Sequence, residues 1–374
     1  MHDTASLRSW LLLRTIRGIG DTTYVRLIQA FGSPEAVLRA SPDALMSAGQ
    51  LSPSLAQAIG LGPDDEVKRA VDAELKSLDA LGIGVVTLSD LDYPSRLKAI
   101  SDPPPVLYVS GALAQGDQHA IAIVGSRKAT AAGRVFTEHI SRDLASLGFT
   151  IVSGLARGVD AAAHRGALAG NGRTVAVLGC GLDRTYPPEH QALRKLVEGS
   201  GAVIAELSLG SYPHGYHFPR RNRIISGMCL GVLVTEAALE SGSLITARLA
   251  AEQGREVFAV PGFVKNETSR GPNGLIKQGA KLVESIEDIV PELLPQLDRD
   301  FLTHLTARMA PAPPRPEPDE REERIYRCLT WEAIHIDDLI EASGLPAADV
   351  SGLLLSLELK GLLRQLPGQS FVRL

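Results

Sequence analysis

Ala120-Ile121-Ala122-Ile123-Val124-Gly125-Ser126-Arg127-Lys128-Ala129-Thr130 is the stretch whose reading decides the fold. Five apolar residues in a row, without polar alternation, mark a strand covered on both faces, as in a parallel sheet. A glycine, a hydroxyl and two cations follow, and helical periodicity takes over at residues 134–147. Strand, glycine loop and helix in that order make a doubly wound α/β unit, whose ligands lie beyond the carboxyl ends of its strands. The loop is not GxGxxG, because positions 127 and 130 are Arg and Thr, and no Gly-Lys-Ser/Thr closes it as in a Walker A loop. It suits holding a phosphate without hydrolysing it.

The same alternation extends in both directions. Apolar runs recur at residues 85–88, 106–109, 150–152, 174–178, 202–205, 231–235 and 256–260, with helical stretches at 160–168, 191–197 and 243–251 between them. The pattern predicts an extended Rossmann-like, doubly wound parallel sheet over residues 81–295. Residues 1–80 read as a small all-α domain, with Leu7, Trp10, Leu11 and Leu13 in helical spacing and a second helix through Tyr24, Leu27, Ile28 and Phe31. Between these helices, Gly18-Ile19-Gly20 resembles the turn of a helix-hairpin-helix module, which brings backbone N–H groups to a phosphate. A short corner between helices also needs glycine, and both readings stand. Residues 309–318 hold five prolines, marking a spacer assigned to 296–318. Beyond it, helical stretches at 322–329, 336–341 and 347–360 and a two-stranded turn around Pro367-Gly368 predict a C-terminal winged-helix domain over 319–374.

The chain carries a net charge of −5, which excludes a generally basic coat for nucleic acid. Residues 116–290 hold 19 basic against 16 acidic residues, so an anion site there depends on focused placement. Residues 319–374 hold 6 against 10, and the helix at 347–360 offers only Lys360 as a cation, which favours protein contact over duplex reading. Cys180, Cys229 and Cys328 form no CxxC, so neither a disulfide framework nor a zinc knuckle is expected. No apolar run approaches the ~20 residues of a membrane span. A cytoplasmic protein without metal, cofactor or membrane attachment is the expectation.

Four more loops after strands carry candidate chemistry. Ser153-Gly154-Leu155-Ala156-Arg157-Gly158 repeats the design of the first, and Asp160 and His164 four residues apart are either an acid–base pair or a structural contact. Gly179-Cys180-Gly181-Leu182-Asp183-Arg184 presents a cysteine read as small and buried. Tyr212-Pro213-His214-Gly215-Tyr216-His217-Phe218-Pro219-Arg220-Arg221-Asn222-Arg223 interleaves rings with arginines and is expected as a loop running into a helix near Ile224. Rings stack on exposed bases and guanidinium groups grip phosphates, a combination suited to single strands. Glu240-Ser241-Gly242-Ser243-Leu244-Ile245-Thr246 offers hydroxyls at a helix N-terminus. No HExxH, GxSxG or metal-ligand cluster is visible, so a non-enzyme is expected.

At these residues the chain resembles the DNA processing protein A (DprA/Smf) family of bacterial natural transformation. The resemblance rests on Ile123-Val124-Gly125-Ser126-Arg127, on Ser153 to Asp160 with His164, on Phe218 to Gly227, on Ser241 to Ala247 and on Val257-Phe258-Ala259-Val260-Pro261-Gly262, five blocks in order. It implies a protein that binds and protects single-stranded DNA, dimerises through the Rossmann-like domain and helps load RecA recombinase. The N-terminal domain would be sterile-alpha-motif-like. Arg127 would be the principal phosphate contact, with Gly125, Ser126, Lys128, Ser153, Gly154, Arg157, Arg220, Arg221, Asn222, Arg223, Ser241, Gly242, Ser243 and Thr246 around it. Relatives carry a lysine near the Tyr-Pro after the third strand of the alternation, whereas Tyr186-Pro187 here is followed by Pro188, Glu189 and His190. Arg184, Arg194 or Lys195 would substitute. The alternative is a phosphoribohydrolase-like enzyme of the same fold variant. Its Pro-Gly-Gly-x-Gly-Thr-x-x-Glu motif is replaced here by Thr235-Glu236-Ala237-Ala238-Leu239-Glu240-Ser241-Gly242.

Overall fold

A computed structural model describes residues 4–308 and 318–374, so most of the proline-rich stretch lies outside the described residues. All eight apolar runs form strands: β1 (Gly84–Thr87), β2 (Val106–Gly111), β3 (Ala120–Val124), β4 (Thr150–Ser153), β5 (Thr174–Leu178), β6 (Ala202–Ala205), β7 (Gly231–Val234) and β8 (Glu256–Ala259). A ninth, β9 (Lys281–Leu282), is too short for periodicity to reveal. The sheet order is β1-β2-β6-β5-β4-β3-β7-β8-β9. β3 pairs in parallel with both β4 and β7, so the order reverses between β3 and β7. That reversal opens a crevice for ligand at the carboxyl ends of these strands. At one edge β2 runs antiparallel to both β1 and β6.

Every residue of β3 is buried, the condition its unbroken apolar run anticipates. On one face of the sheet Ile121, Ile123, Phe149 and Phe258 pack against Ile140, Leu144, Val159 and Ala163 of the helices Ala131–Ser146 and Val159–Ala169. The other face has a core continuous with Trp10, Leu13, Tyr24 and Leu27 of the N-terminal helices. Each such side chain contributes roughly 1.5–3 kcal/mol through burial, so the N-terminal helices are packed onto the sheet and not merely tethered to it. Three of those helices, Pro34–Arg39, Pro42–Ser47 and Pro53–Leu61, begin with Ser-Pro. Ser33, Ser41 and Ser52 cap them, and proline at the first helical position loses no hydrogen bond.

Two expectations are corrected. The helix at the ring-and-arginine segment starts at His217 and runs to Gly227, so Arg220 to Arg223 are helical. Its buried face is lined by Arg221, Asn222 and Arg223, which hid the periodicity. Residues 299–308, within the expected spacer, form the helix Arg299–Arg308. Phe301 packs 4.9 Å from Phe149 and 4.2 Å from His119 (ring centroids), and Asp298 meets His119 at 2.8 Å, which holds this helix to the sheet domain.

The C-terminal unit has helices Glu320–Tyr326, Ile336–Ser343 and Ala347–Leu359 and a small sheet of β10 (Ile334–His335), β11 (Leu363–Leu366) and β12 (Ser370–Arg373). Its core is its own, formed by Ile325, Leu339, Val350, Leu354 and Phe371. This is the expected winged helix.

Candidate nucleic-acid interface

The loops after β3, β4 and β5 converge with the helix His217–Gly227 on one cleft. Arg127, Gly154 and Arg157 line it together with Gly179, Tyr186 and Phe218. In the first loop Gly125 is required, since a Cβ there would lie 2.6 Å from Val159 and 2.7 Å from the Glu236 carbonyl. Ser126 N–H donates to Glu236 O at 2.6 Å, and Ser126 O accepts from Val159 N–H, which pins the turn between two neighbouring loops. Ser126 Oγ accepts from Lys128 N–H at 3.1 Å. The turn therefore projects Arg127 and Lys128 into solvent. Arg127 lies over the Phe218 ring at 5.1 Å, and among the described residues no carboxylate pairs with it or with Lys128. It is an oriented, unneutralised guanidinium.

The helix N-terminus behind this loop is already occupied. Thr130 Oγ1 accepts from Gly133 N–H, and the Glu236 carboxylate accepts from Thr130 N–H at 2.8 Å and from its hydroxyl at 2.6 Å. Glycine at 133 leaves room for that carboxylate. Arg127 and Lys128, not this helix end, are what the loop offers an anion. Glu236 acts as a helix cap, which does not favour the phosphoribohydrolase reading.

In the second loop the Ser153 hydroxyl turns inward and donates to Ile123 O at 2.7 Å, away from the cleft. Leu155 and Gly158 take left-handed conformations with φ of 56° and 72°. A Cβ at Gly158 would collide with Ser126 O, so the two loops interlock through this glycine. Arg157 is half exposed and meets Glu189 at 2.5 Å. Asp160 and His164 are not an acid–base pair. Asp160 accepts from Ala156 N–H at 3.3 Å, while His164 Nδ1 meets Thr174 Oγ1 at 2.7 Å. Burial pushes the Asp160 carboxyl above the usual range, opposed by Arg221. Burial, with the charges of His190 and Arg221, lowers His164 to about 3, so the ring is neutral.

The arginine run is divided. Arg221 is buried and donates to Gly154 O at 2.9 Å and to Val177 O, bracing β4 and β5 from within. Arg223 is 5% exposed and donates to Glu206 at 2.6 Å and to Asp102 O at 2.6 Å, with Asp21 at 3.1 Å. Arg220 is half exposed and engaged by Asp21 at 2.8 Å and Glu206 at 2.9 Å. Asn222 donates to Gly242 O at 3.2 Å. Arg220 and Arg223 thus dock the Gly18–Gly20 turn, through the adjacent Asp21, onto the sheet domain. Arg221 and Arg223, both expected to hold phosphate, instead hold the protein together, because buried cations demand acidic or carbonyl partners, and half-exposed Arg220 shares the two carboxylates that Arg223 engages.

Of the three substitutes for the missing lysine, Arg194 is buried and donates to Leu182 O, Arg184 O and Glu198. Lys195 is exposed on the helix Gln191–Ser200. Arg184 lies 3.9 Å over the Tyr212 ring and 3.4 Å from Asp183, on the loop after β5. Cys180 is buried, and burial raises its thiol to about 11, far from a nucleophile. The last loop caps its own helix: Ser241 Oγ accepts from Ser243 N–H at 3.3 Å and meets Ser243 Oγ at 2.7 Å, while Thr246 is buried. Gly242 alone of that set is exposed. Among the described residues no group of His, Cys, Asp and Glu could hold a metal ion, and no helix is long and apolar enough to cross a membrane.

A sheet whose strand order reverses at interlocked loops, with an unneutralised arginine held over an aromatic ring at that crevice, defines a Rossmann-like protein, and comparison narrows the class. The family model for DNA recombination-mediator protein A matches residues 84–294, with a DprA-like N-terminal HHH domain at 4–60 and a DprA winged helix domain at 309–369. Protein Smf of Escherichia coli is 40% identical over 82% of this chain and 82% of its own length. The structure of DNA processing protein A from Streptococcus pneumoniae superposes with a TM-score of 0.66 at 34% identity, covering 78% of this chain and 99% of that one. A DNA processing protein A structure from Helicobacter pylori, described in terms of its single-stranded DNA binding mode, gives a TM-score of 0.52 at 30% identity over 57% of this chain and 97% of its own. The chain belongs to the DprA/Smf family.

Proposed function

We propose that this protein binds single-stranded DNA along the cleft at the carboxyl ends of β3, β4 and β5, protects it without cutting it, and presents it to RecA recombinase. Arg127 carries the proposal: it is exposed, oriented by Phe218 and free of any described carboxylate partner. The cations Lys128, Arg157 and Arg184 complete a grip on the phosphates. Arg157 and Arg184 exchange Glu189 and Asp183 for phosphate oxygens at small cost, because partly exposed ion pairs are worth only about 0–1 kcal/mol. Dimerisation through the Rossmann-like domain and residence in the cytoplasm belong to the same proposal, as the family resemblance implies.

A salt titration tests it. Four reachable cations, Arg127, Lys128, Arg157 and Arg184, give a fall in log K against log salt of about 3, at ~0.7 per phosphate neutralised on a single strand. Had Arg220, Arg221 and Arg223 also gripped phosphate, the slope would approach ~5. Fluorescence anisotropy with a labelled oligonucleotide at 50–200 mM salt separates the two. Binding that ignores salt, or that prefers duplex, would refute the reading.

A further inference from the structure

Beside the phosphate grip, on the segment leading into the helix His217–Gly227, four rings are held in a compact turn that none of the contacts above requires. The His214 and Tyr216 rings stack at 5.5 Å with planes 5° apart, and His217 packs edge-on against Tyr216 at 4.4 Å. Backbone and side chain lock the turn: His214 N–H donates to Tyr212 O at 2.9 Å, His217 N–H to His214 O at 3.0 Å, and His217 Nδ1 meets Tyr212 O at 3.0 Å. Tyr212 is covered on one face by the Arg184 guanidinium. The rings are nevertheless open to water, with Tyr216 71% and Tyr212 59% exposed.

These exposed rings leave aromatic faces in water, and a partner that covers them gains by burial and by stacking. The turn runs directly into Phe218, the ring under Arg127, and Tyr212 sits under Arg184, so a guanidinium flanks the rings at either end. That is the layout of a strand-binding groove, in which cations follow the phosphates and rings take the bases. We infer that His214 and Tyr216 form a stacking ledge for an unpaired base of a single strand whose phosphates are held at Arg127. The ledge rests on the single-strand reading and adds the base to it. A base joining the open end of a preformed two-ring stack orders little protein, so most of the stacking energy appears as affinity. Because every base has a π-face, the ledge gives preference for bases over their absence, not for one sequence.

The test compares two oligonucleotides of equal length and charge, one of thymidines and one in which the bases are replaced by abasic tetrahydrofuran units, with the full chain. The wild-type protein is expected to bind the thymidine strand at least about fivefold more tightly. Tyr216→Ala is expected to lose most of that preference while keeping its affinity for the abasic strand, and Tyr216→Phe to restore it. Tyr216 is exposed, so loss of the fold does not enter. Equal binding of both strands by the wild-type chain, or an equal loss on both strands in Tyr216→Ala, would overturn the ledge. Failure to bind either strand would overturn the single-strand reading itself, and the ledge with it.

Discussion

Replacing Arg221 by methionine separates the structural reading of the arginine run from a ligand-binding one. The substitution keeps an apolar stem of similar length but removes the donors to Gly154 O and Val177 O, and leaves the Asp160 carboxylate buried without its compensating charge. Leaving two buried carbonyls without their donor and a buried carboxylate without a nearby countercharge costs about 3–5 kcal/mol. At about 2–4 °C per kcal/mol for a domain of roughly 200 residues, the unfolding midpoint should fall by about 6–20 °C. The pH dependence gives a second handle. Burial already raises the Asp160 pKa in the folded chain and Arg221 opposes it, so losing Arg221 raises it further. A carboxyl that binds its proton more tightly when folded gains stability as pH falls, and the deficit of Arg221→Met should therefore shrink between pH 7 and pH 5. Thermal melts by circular dichroism at the two pH values measure both effects. A variant that melts with the wild-type protein but no longer binds single strands would refute this account of Arg221.

Two further substitutions probe the buried ionisable groups. His164 titrates near 3 when folded against about 6.5 when unfolded, so the unfolded chain takes the proton first and stability should fall as pH drops below 6.5; His164→Asn, which retains a partner for Thr174, should flatten that dependence in urea melts between pH 7 and pH 4. In the winged helix, burial alone would raise Glu322, but hydrogen bonds from Lys360, Ser356 and Asp319 N–H outweigh it and hold the carboxyl at about 2. The resulting stability is present above the ordinary carboxylate pKa and is lost as pH falls through about 2. Glu322→Gln should thus destabilise that unit by about 1–3 kcal/mol at pH 7, with a difference that vanishes toward pH 2, read by calorimetry of the full chain.

Much of the fold was legible because two-sided burial writes itself as unbroken apolar runs, and eight of the nine strands of the main sheet did so; β9, with two residues, carries too little chain to leave a pattern. The cleft was legible in part. Arg127, Gly154 and Arg157 come together as the repeated glycine-and-arginine loops anticipate, because equivalent positions after neighbouring parallel strands are close in space. What the sequence hides is the partner of each cation. Asp21 lies about 200 residues before Arg220, and Glu206 is a lone acid after β6; only folding brings both to the arginines. The direction of a hydroxyl is equally silent, so Ser153 read as a ligand although it bonds Ile123. Phe218 stood in view among the rings, yet its place under Arg127 depends on a helix whose buried face is made of polar residues. Glu236 stood in the stretch compared with the phosphoribohydrolase motif, but nothing there showed its role as a cap, which requires Thr130 on a different loop.

The proposed anchoring of an unpaired strand by one unneutralised guanidinium is tested most directly by Arg127→Ala measured beside Arg220→Ala in the same oligonucleotide titration. Loss of a charge-assisted contact worth about 1.5–3 kcal/mol should weaken Arg127→Ala roughly 10- to 150-fold and lower its salt slope by ~0.7, while Arg220→Ala stays within a few-fold of wild type. Undiminished binding by Arg127→Ala, or a larger loss in Arg220→Ala, would contradict the account.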